Sequence, residues 1–269
     1  MLQNLAKLWN LSELIPISTS PYTSIFSALQ NTRPVILKIS EDAQQESQIL
    51  KLYQNYGAIE VLETNNNAML LEQAFPGTSL KSYFPTREAE AIKIVCNVMQ
   101  KLHKAPIPSG ANLPHLKDRL KALDNASVPH IEKARNVRDS LLATTTSNVL
   151  LHGDLHHDNI LMHGDDWIVI DPKGFIGDAT YEPACFIHNP IPELLSMNNA
   201  DEIIRMRIKA FAHELSIDEK RIADWCFVVA VLAHVWAIED GIGGEYFAKI
   251  VDIIHRLTST TPHTQTSHQ

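Results

Sequence analysis

The chain has 269 residues, of which 45% are hydrophobic and 20% charged, and this composition is that of an ordinary globular protein. It excludes collagen-like, wholly disordered and disulfide-scaffold proteins. A formal net charge of −8 argues against nucleic acid or an anionic membrane as the main partner and is compatible with a cationic one. The three cysteines are widely spaced, which predicts free thiols in a reducing cytoplasm.

The first third of the chain predicts a small lobe of strands around one helix. The first residues predict an amphipathic lead-in helix rather than a signal peptide, because apolar residues recur at helical spacing. From about residue 17 to 73 the pattern changes to short apolar runs. Asp42 is placed to cap the helix of this lobe. The predicted strands include 34–39, 59–63 and 68–72.

Pro76 and Gly77 predict a break, after which the pattern is mainly helical. Thr86 is placed to cap the first of these helices. The most apolar stretch, Cys226 to Ile238, is too short for a membrane span and predicts a buried helix. Further helices are predicted at about 115–143, 200–215, 218–239 and 243–257, and short strands at 149–151, 160–162 and 167–170. The predicted division is an N-terminal lobe at 1–73, a C-terminal lobe at 74–258 and a disordered tail at 259–269.

One set of polar residues has a spacing that indicates a specific chemistry. His152, Asp154 and Asn159 fit H-x-D-x-x-x-x-N, and Asp171 follows at the end of an apolar strand. Phosphoryl transfer from a nucleotide needs this set: one carboxylate accepts the proton of the acceptor hydroxyl, while an amide oxygen and a second carboxylate hold Mg²⁺ on the phosphates. The ordered set therefore predicts Asp154 as the catalytic base, with Asn159 and Asp171 as metal ligands.

The small lobe supplies a cation for the same chemistry. Lys38 stands alone within an apolar strand, where an ammonium group is costly unless it reaches a charge. In a kinase such a lysine reaches the nucleotide phosphates and is held by a glutamate of the next helix. Glu46 is the best candidate for that glutamate, and Glu41 is the second.

Metal-dependent hydrolysis is the alternative chemistry for the same loop, because three histidines and two aspartates crowd it. They are His152, Asp154, His156, His157 and Asp158. A zinc hydrolase would leave Asp171 and Lys38 unexplained, so the kinase hypothesis is favoured.

The stretches HisGlyAspLeuHisHisAspAsn (152–159) and IleAspProLysGlyPheIleGlyAsp (170–178) resemble the aminoglycoside phosphotransferase branch of the kinase-like fold. The resemblance is strongest to the streptomycin and hydroxyurea phosphotransferase family. It implies an α+β, two-lobed protein-kinase-like fold, with an antiparallel sheet and a helix in the N-lobe and a larger, mainly helical C-lobe. It also implies that ATP and Mg²⁺ bind in the cleft, with Lys38 on a phosphate and the backbone of Glu72, Gln73 and Ala74 on the adenine.

The chain departs from protein kinases in the loop over the phosphates, because no glycine occurs before Gly57. The corresponding loop is predicted at 17–24, where Ser20 is a candidate phosphate contact and Pro21 removes one N–H donor. This departure leaves the choice of ATP over GTP open. Lys173 is equally compatible with a role in the site and with a surface turn.

Acceptor contacts are predicted from acidic and aromatic residues of the large lobe, since a cationic, hydroxylated acceptor needs carboxylates facing Asp154. The candidates are Asp178, Glu182, His188, Trp236, Glu239 and Asp240. The predicted reaction is transfer to a hydroxyl of a streptomycin-type aminoglycoside, in the cytoplasm and without nucleic acid or membrane. A metabolic kinase of choline or an aminosugar, or a nucleotide-binding pseudokinase, are the alternatives, and the oligomeric state is left open.

Overall fold

A computed structural model describes residues 1–110 and 112–259. The helices are α1 (Leu2–Leu8), α2 (Ala43–Tyr53), α3 (Glu88–Leu102), α4 (Leu116–Arg119), α5 (Ile131–Ala143), α6 (Pro183–Ile187), α7 (Glu193–Ser196), α8 (Ala200–Leu215), α9 (Glu219–Glu239) and α10 (Glu245–Ser259). The strands are β1 (Leu11–Thr19), β2 (Thr23–Gln30), β3 (Arg33–Ser40), β4 (Val61–Asn65), β5 (Ala68–Glu72), β6 (Pro76–Ser79), β7 (Val149–Leu151), β8 (Ile160–His163), β9 (Asp166–Val169) and β10 (Phe175–Gly177).

The first five strands form one antiparallel sheet in the order β1-β2-β3-β5-β4. Side chains alternate between its two faces, so Val35 and Leu37 of the central strand pack with α1, through Leu5 and Trp9. Lys38 points to the opposite face, which α2 covers. Alternation along one strand therefore turns the lysine toward the cleft while its neighbours build the core.

In the rest of the chain, two small sheets carry the loops that contain the predicted catalytic and metal-binding residues. One is β6-β8-β9 and the other pairs β7 with β10. They dock on the first sheet's helix, since the hydroxyl of Tyr53 donates to the Leu150 carbonyl at 2.8 Å. The peptide N–H of Ile59 also donates to the Val169 carbonyl at 3.0 Å. The proposed division at residues 73 and 74 falls between β5 and β6, which belong to different sheets.

The longest helix, α9, forms the centre of the helical part. It is long and apolar enough to cross a membrane by length and composition, yet 67% of its most apolar window is buried inside the fold. Trp225 and Leu232 are fully buried on it, and α5, α8 and α10 pack around it. These contacts confirm the predicted buried core helix.

Several local predictions are wrong. Strand structure starts at Leu11 instead of residue 17, because β1 pairs with β2. Pro76 and Gly77 begin β6, which pairs with β8, so they do not break the chain. The N-cap of α3 is Arg87, one residue after Thr86.

The helix predicted over 115–143 is interrupted, and the strand β10 was not predicted from the sequence. Ser259 ends α10 instead of starting a tail, and the rest of the predicted tail lies outside the described residues.

Candidate active site

Lys38 and Glu46 meet at the wall of the cleft. The Lys38 Nζ lies 2.6 Å from Glu46 Oε2, and both residues are more than nine-tenths buried. Burial raises the pKa of Glu46 to about 7, and the charge of Lys38 opposes that rise. The structure thus joins the predicted pair. Glu41 lines the cavity next to Lys38 but forms no ion pair with it among the described residues.

Asp171 connects this pair to the other side of the cleft. Its Oδ1 accepts from Lys38 Nζ at 3.1 Å and from Lys173 Nζ at 3.1 Å. Burial tends to raise the pKa of Asp171, but the two ammonium groups hold it below its ordinary value. Asp171 has a φ of 57°, the left-handed region that a non-glycine residue rarely adopts and that is typical of functional sites. Lys173, which the sequence left open, therefore belongs to the site.

The loop from β7 to β8 carries Asp154 and Asn159 and is tied to the segment that carries Asp171. The His152 carbonyl accepts from the N–H of Lys173 at 2.8 Å and of Gly174 at 3.2 Å. His152 Nε2 lies 2.9 Å from the Ile170 carbonyl, and burial lowers the pKa of this ring. These hydrogen bonds hold the segment that carries Asp154 and the segment that carries Asp171 next to each other.

Asp154 leaves its carboxylate open to the cleft. Its own N–H contacts His152 Nδ1 at 3.3 Å, which shapes the loop backbone. The side chain is 37% exposed, and His156 Nε2 lies 3.9 Å from its Oδ2. A carboxylate with this exposure can accept the proton of an incoming hydroxyl group.

The oxygen atoms near this loop fit a magnesium ion. The Asn159 Nδ2 donates to the Asp154 carbonyl at 2.9 Å, which leaves the amide oxygen for a ligand. Asp171 uses Oδ1 for both lysines and keeps Oδ2. Amide and carboxylate oxygens are the ligands that Mg²⁺ takes beside phosphates.

A zinc centre does not fit the same loop. His152 contacts the Ile170 carbonyl through Nε2, and His157 is buried and stacked on Phe186 with ring centres 3.7 Å apart. Within residues 1–110 and 112–259, no three His, Cys, Asp or Glu side chains group to hold a metal ion.

Glu182, predicted as an acceptor contact, is fully buried beneath the loop that joins β7 to β8. Its carboxylate accepts from the N–H groups of His152 and Gly153, both at 2.8 Å. His103 Nε2 lies 3.4 Å from the same carboxylate. Burial opposes ionisation, but these partners hold the pKa of Glu182 below its ordinary value. The structure therefore shows Glu182 holding the loop, and its side chain has no exposed surface for an acceptor.

Asp178, the second buried acid among the predicted acceptor contacts, is also engaged inside the protein. Its carboxylate pairs with Arg221, accepts from the Thr180 N–H at 3.0 Å and accepts from Trp225 Nε1 at 3.3 Å. These bonds join the β10 segment to α9, and the Asp178 side chain is only 7% exposed, so its carboxylate is engaged within the protein.

The remaining predicted acceptor contacts differ in exposure. His188 is buried, and burial lowers its pKa to about 4. Trp236 has the guanidinium of Arg119 over its ring at 4.3 Å. Glu239 and Asp240 are exposed at the end of α9, so they are the two acids of the set that solvent and ligands can reach.

A cavity of about 610 Å³ extends from Lys38 and Asp171 to the turn between β1 and β2. Ser20 closes that turn, because its Oγ accepts from the N–H groups of Tyr22 at 3.3 Å and Thr23 at 3.0 Å. A serine hydroxyl thus shapes the turn in a loop without glycine.

The predicted adenine-binding segment lies at the end of β5. Glu72 uses its N–H on the Glu60 carbonyl at 3.0 Å and its side chain on Arg33 at 3.1 Å. Gln73 and Ala74 follow the strand, so their backbone groups stand where the chain passes from one sheet to the next.

Gly174 lies where the segment that carries Asp171 packs closely against α2. An alanine Cβ at this position would lie 2.3 Å from Ile49 Cγ1, and its φ is 66°. Gly164→Ala is a matched control, since Gly164 has a φ of 59° and open space around it. We expect Gly174→Ala to lower the free energy of unfolding by about 1 to 3 kcal/mol more than the control does. Urea denaturation measures this difference, and equal losses in the two variants would contradict the packing argument.

A family model described as aminoglycoside/hydroxyurea antibiotic resistance kinase matches residues 9–241. A streptomycin 3''-kinase from Klebsiella pneumoniae is 28% identical over 255 residues, which cover 90% of this chain and 94% of that protein. A hydroxyurea phosphotransferase from Kitasatospora aureofaciens is 24% identical over 223 residues, covering 77% of this chain and 62% of that protein.

Solved structures share the fold. A thermostable mutant of aminoglycoside phosphotransferase APH(4)-Ia, in a ternary complex with AMP-PNP and hygromycin B, has a TM-score of 0.72 at 16% identity, covering 96% of this chain and 99% of that chain. Choline kinase LicA from Streptococcus pneumoniae has a TM-score of 0.67 at 11% identity, covering 96% of this chain and 97% of that chain. These likenesses confirm the predicted kinase-like fold.

Proposed function

Since the chain belongs to the aminoglycoside/hydroxyurea antibiotic resistance kinase family, we propose that it transfers the γ-phosphoryl group of ATP to a hydroxyl group of a streptomycin-like aminoglycoside. The observation that carries the proposal is the bridge from Glu46 through Lys38 to Asp171, which joins the two walls of the cleft through 2.6 Å and 3.1 Å contacts. A site that binds polyphosphate needs a cation fixed at this place.

Each side chain has one task in this mechanism. Asp154 accepts the proton of the acceptor hydroxyl and orients its oxygen toward the phosphoryl group. Lys38 and Lys173 offset the charge of the phosphates. Asn159 and Asp171 would hold Mg²⁺, which neutralises phosphate charge and aligns the nucleotide. Because the transition state is loose, catalysis consists mainly of this positioning.

The acceptor class is supported by relatives and by charge. The relative with 28% identity along 90% of the chain carries the name streptomycin 3''-kinase. The net charge of −8 attracts a cationic antibiotic, and the exposed Glu239 and Asp240 are candidate contacts for its guanidino groups. ATP as donor is supported by the AMP-PNP bound in the ternary complex of a protein with the same fold. A cytoplasmic location belongs to the same proposal, since the cell's ATP is there and three cysteines are free and buried.

A panel of acceptors tests the proposal. ADP release with Mg-ATP is measured against streptomycin, hygromycin B, hydroxyurea, choline and glucosamine, with an acceptor-free reaction as the control. We expect saturable turnover with streptomycin, well above the acceptor-free rate. Turnover with choline or the aminosugar alone would make the protein a metabolic kinase. Nucleotide binding without turnover on the whole panel would favour a pseudokinase and contradict the proposal.

A further inference from the structure

Arg119 is a cation in the cleft that the family motifs do not include. It ends α4 and lies on the wall of the same cavity as Lys38, Asp171 and Lys173. Its guanidinium lies 4.3 Å from the ring centre of Trp236 and 5.4 Å from that of Phe175. Two aromatic faces thus orient this planar cation, as aromatic rings orient arginine elsewhere.

The ring of Phe175 brings this cation close to the catalytic loop. A Cβ on Gly153 would lie 2.2 Å from a ring carbon of Phe175, so the ring packs directly against the residue before Asp154. Arg119 therefore lies beside a ring that touches the loop carrying Asp154, and it also lines the cavity.

No acidic side chain balances the charge of Arg119 among the described residues. The ion pairs there leave it out, and its Nε is buried without a hydrogen-bond partner. Partial burial of a charged group without an opposite charge or hydrogen-bond partner costs free energy. A half-buried, oriented and unpaired guanidinium is suited to an anion that arrives with a ligand.

The positive charge of Arg119 indicates which group of the two substrates it would bind. A cationic acceptor would be repelled by Arg119, whereas a phosphoryl group gains two parallel hydrogen bonds from a guanidinium. We infer that Arg119 binds the phosphoryl group in transit, on ATP before transfer and on the product after it, and that Trp236 positions Arg119 instead of stacking on a sugar. This inference rests on the proposed function for the group that is transferred.

The transfer step balances as follows. The acceptor oxygen forms a bond to the γ-phosphorus, and the bond from that phosphorus to the β–γ bridging oxygen breaks. The bridging oxygen leaves with the electron pair as part of ADP, and Asp154 receives the proton of the hydroxyl group. Negative charge spreads over the three remaining oxygens of the phosphoryl group, and Arg119 would stabilise this charge by donating N–H groups to these oxygens.

Comparing the affinities of two nucleotides tests the contact of Arg119 with the third phosphoryl group separately from all other nucleotide contacts. Isothermal titration with Mg²⁺ compares AMP-PNP, which has the third phosphoryl group, with ADP, which lacks it. For Arg119→Gln we expect AMP-PNP to bind at least about 10-fold more weakly while ADP binding stays unchanged. The matched control is Lys117→Gln, which removes an exposed positive charge two residues away and should change neither affinity.

Turnover gives the second readout. In Arg119→Gln we expect kcat to fall by about 100-fold or more, and in Arg119→Lys to recover in part, because lysine returns the charge without the paired donors. Thermal unfolding identifies any variant that fails to fold, and Arg119→Lys then decides the result.

The outcomes are separable from those of the proposed function. Equal loss of AMP-PNP and ADP affinity, or no loss of either, overturns the role of Arg119 even if the wild-type protein phosphorylates streptomycin. A selective loss of AMP-PNP affinity supports that role even if the panel finds no acceptor. A wild-type protein that binds neither nucleotide would overturn both proposals.

Discussion

Replacement of Asp154 by alanine is expected to lower kcat by at least about 100- to 10,000-fold, the usual contribution of a positioned general base. Nucleotide affinity should stay nearly unchanged, because the cation that receives the phosphates, Lys38, is held by Glu46 and Asp171 and not by Asp154. The same preparation is assayed for ADP release and for ADP binding by titration calorimetry.

Asp158 provides the matched control for this experiment. It is exposed, lies in the same loop and contacts Lys81 at 3.8 Å, and it makes no ion pair with Lys38 or Lys173 among the described residues. Asp158→Ala should retain most of the wild-type kcat. Wild-type turnover in Asp154→Ala, or an equal loss in the two variants, would remove Asp154 from the role of base.

Replacement of Glu182 by alanine is expected to cost about 3 to 5 kcal/mol of unfolding free energy and most of the activity. The change leaves the N–H groups of His152 and Gly153 buried without an acceptor and removes the partner of His103. The loop that carries Asp154 then loses the bonds that fix its backbone. Urea denaturation and kcat are measured on the same samples.

The isosteric variant Glu182→Gln separates shape from hydrogen bonding. It fills the same volume, but its amide NH₂ must face one of the two N–H donors, so it should fall between wild type and alanine. Glu90, whose ion pair with Arg87 is exposed, is the surface control, and Glu90→Ala should behave as wild type. A Glu182→Ala protein of wild-type stability would show that the two N–H groups find other acceptors.

The site residues predicted from motifs were those whose spacing is fixed by local structure. Asp154 and Asn159 share one loop, and Lys38 and Glu46 are separated by a strand end and one helical turn, so short sequence distances bring each pair together. Their chemical roles stay predictions until the variants are assayed.

Residues that meet only through tertiary contacts could not be predicted from the sequence. The partners of Arg119 are Phe175 and Trp236, which come from distant segments, and no local pattern connects them. Asp178 and Glu182 carry the right charge for an acceptor site, but only packing decides that their carboxylates point inward. The same limit applies to Pro76, whose composition signals a turn although its strand partner lies in β8.

The contact of Lys38 with Glu46 also bears on control of the protein. Signalling kinases are switched off by separating such a lysine from its glutamate, which requires a helix that can move at small cost. Here α2 carries fully buried Ile49, Leu50 and Tyr53, and Tyr53 is bonded to Leu150 of the other part of the chain. Moving this helix would expose these side chains, so an effector would have to supply the free energy of their burial to separate Lys38 from Glu46. We therefore expect the pair to stay closed without an effector, so that the amount of the protein in the cell, set by synthesis and degradation, would set its output.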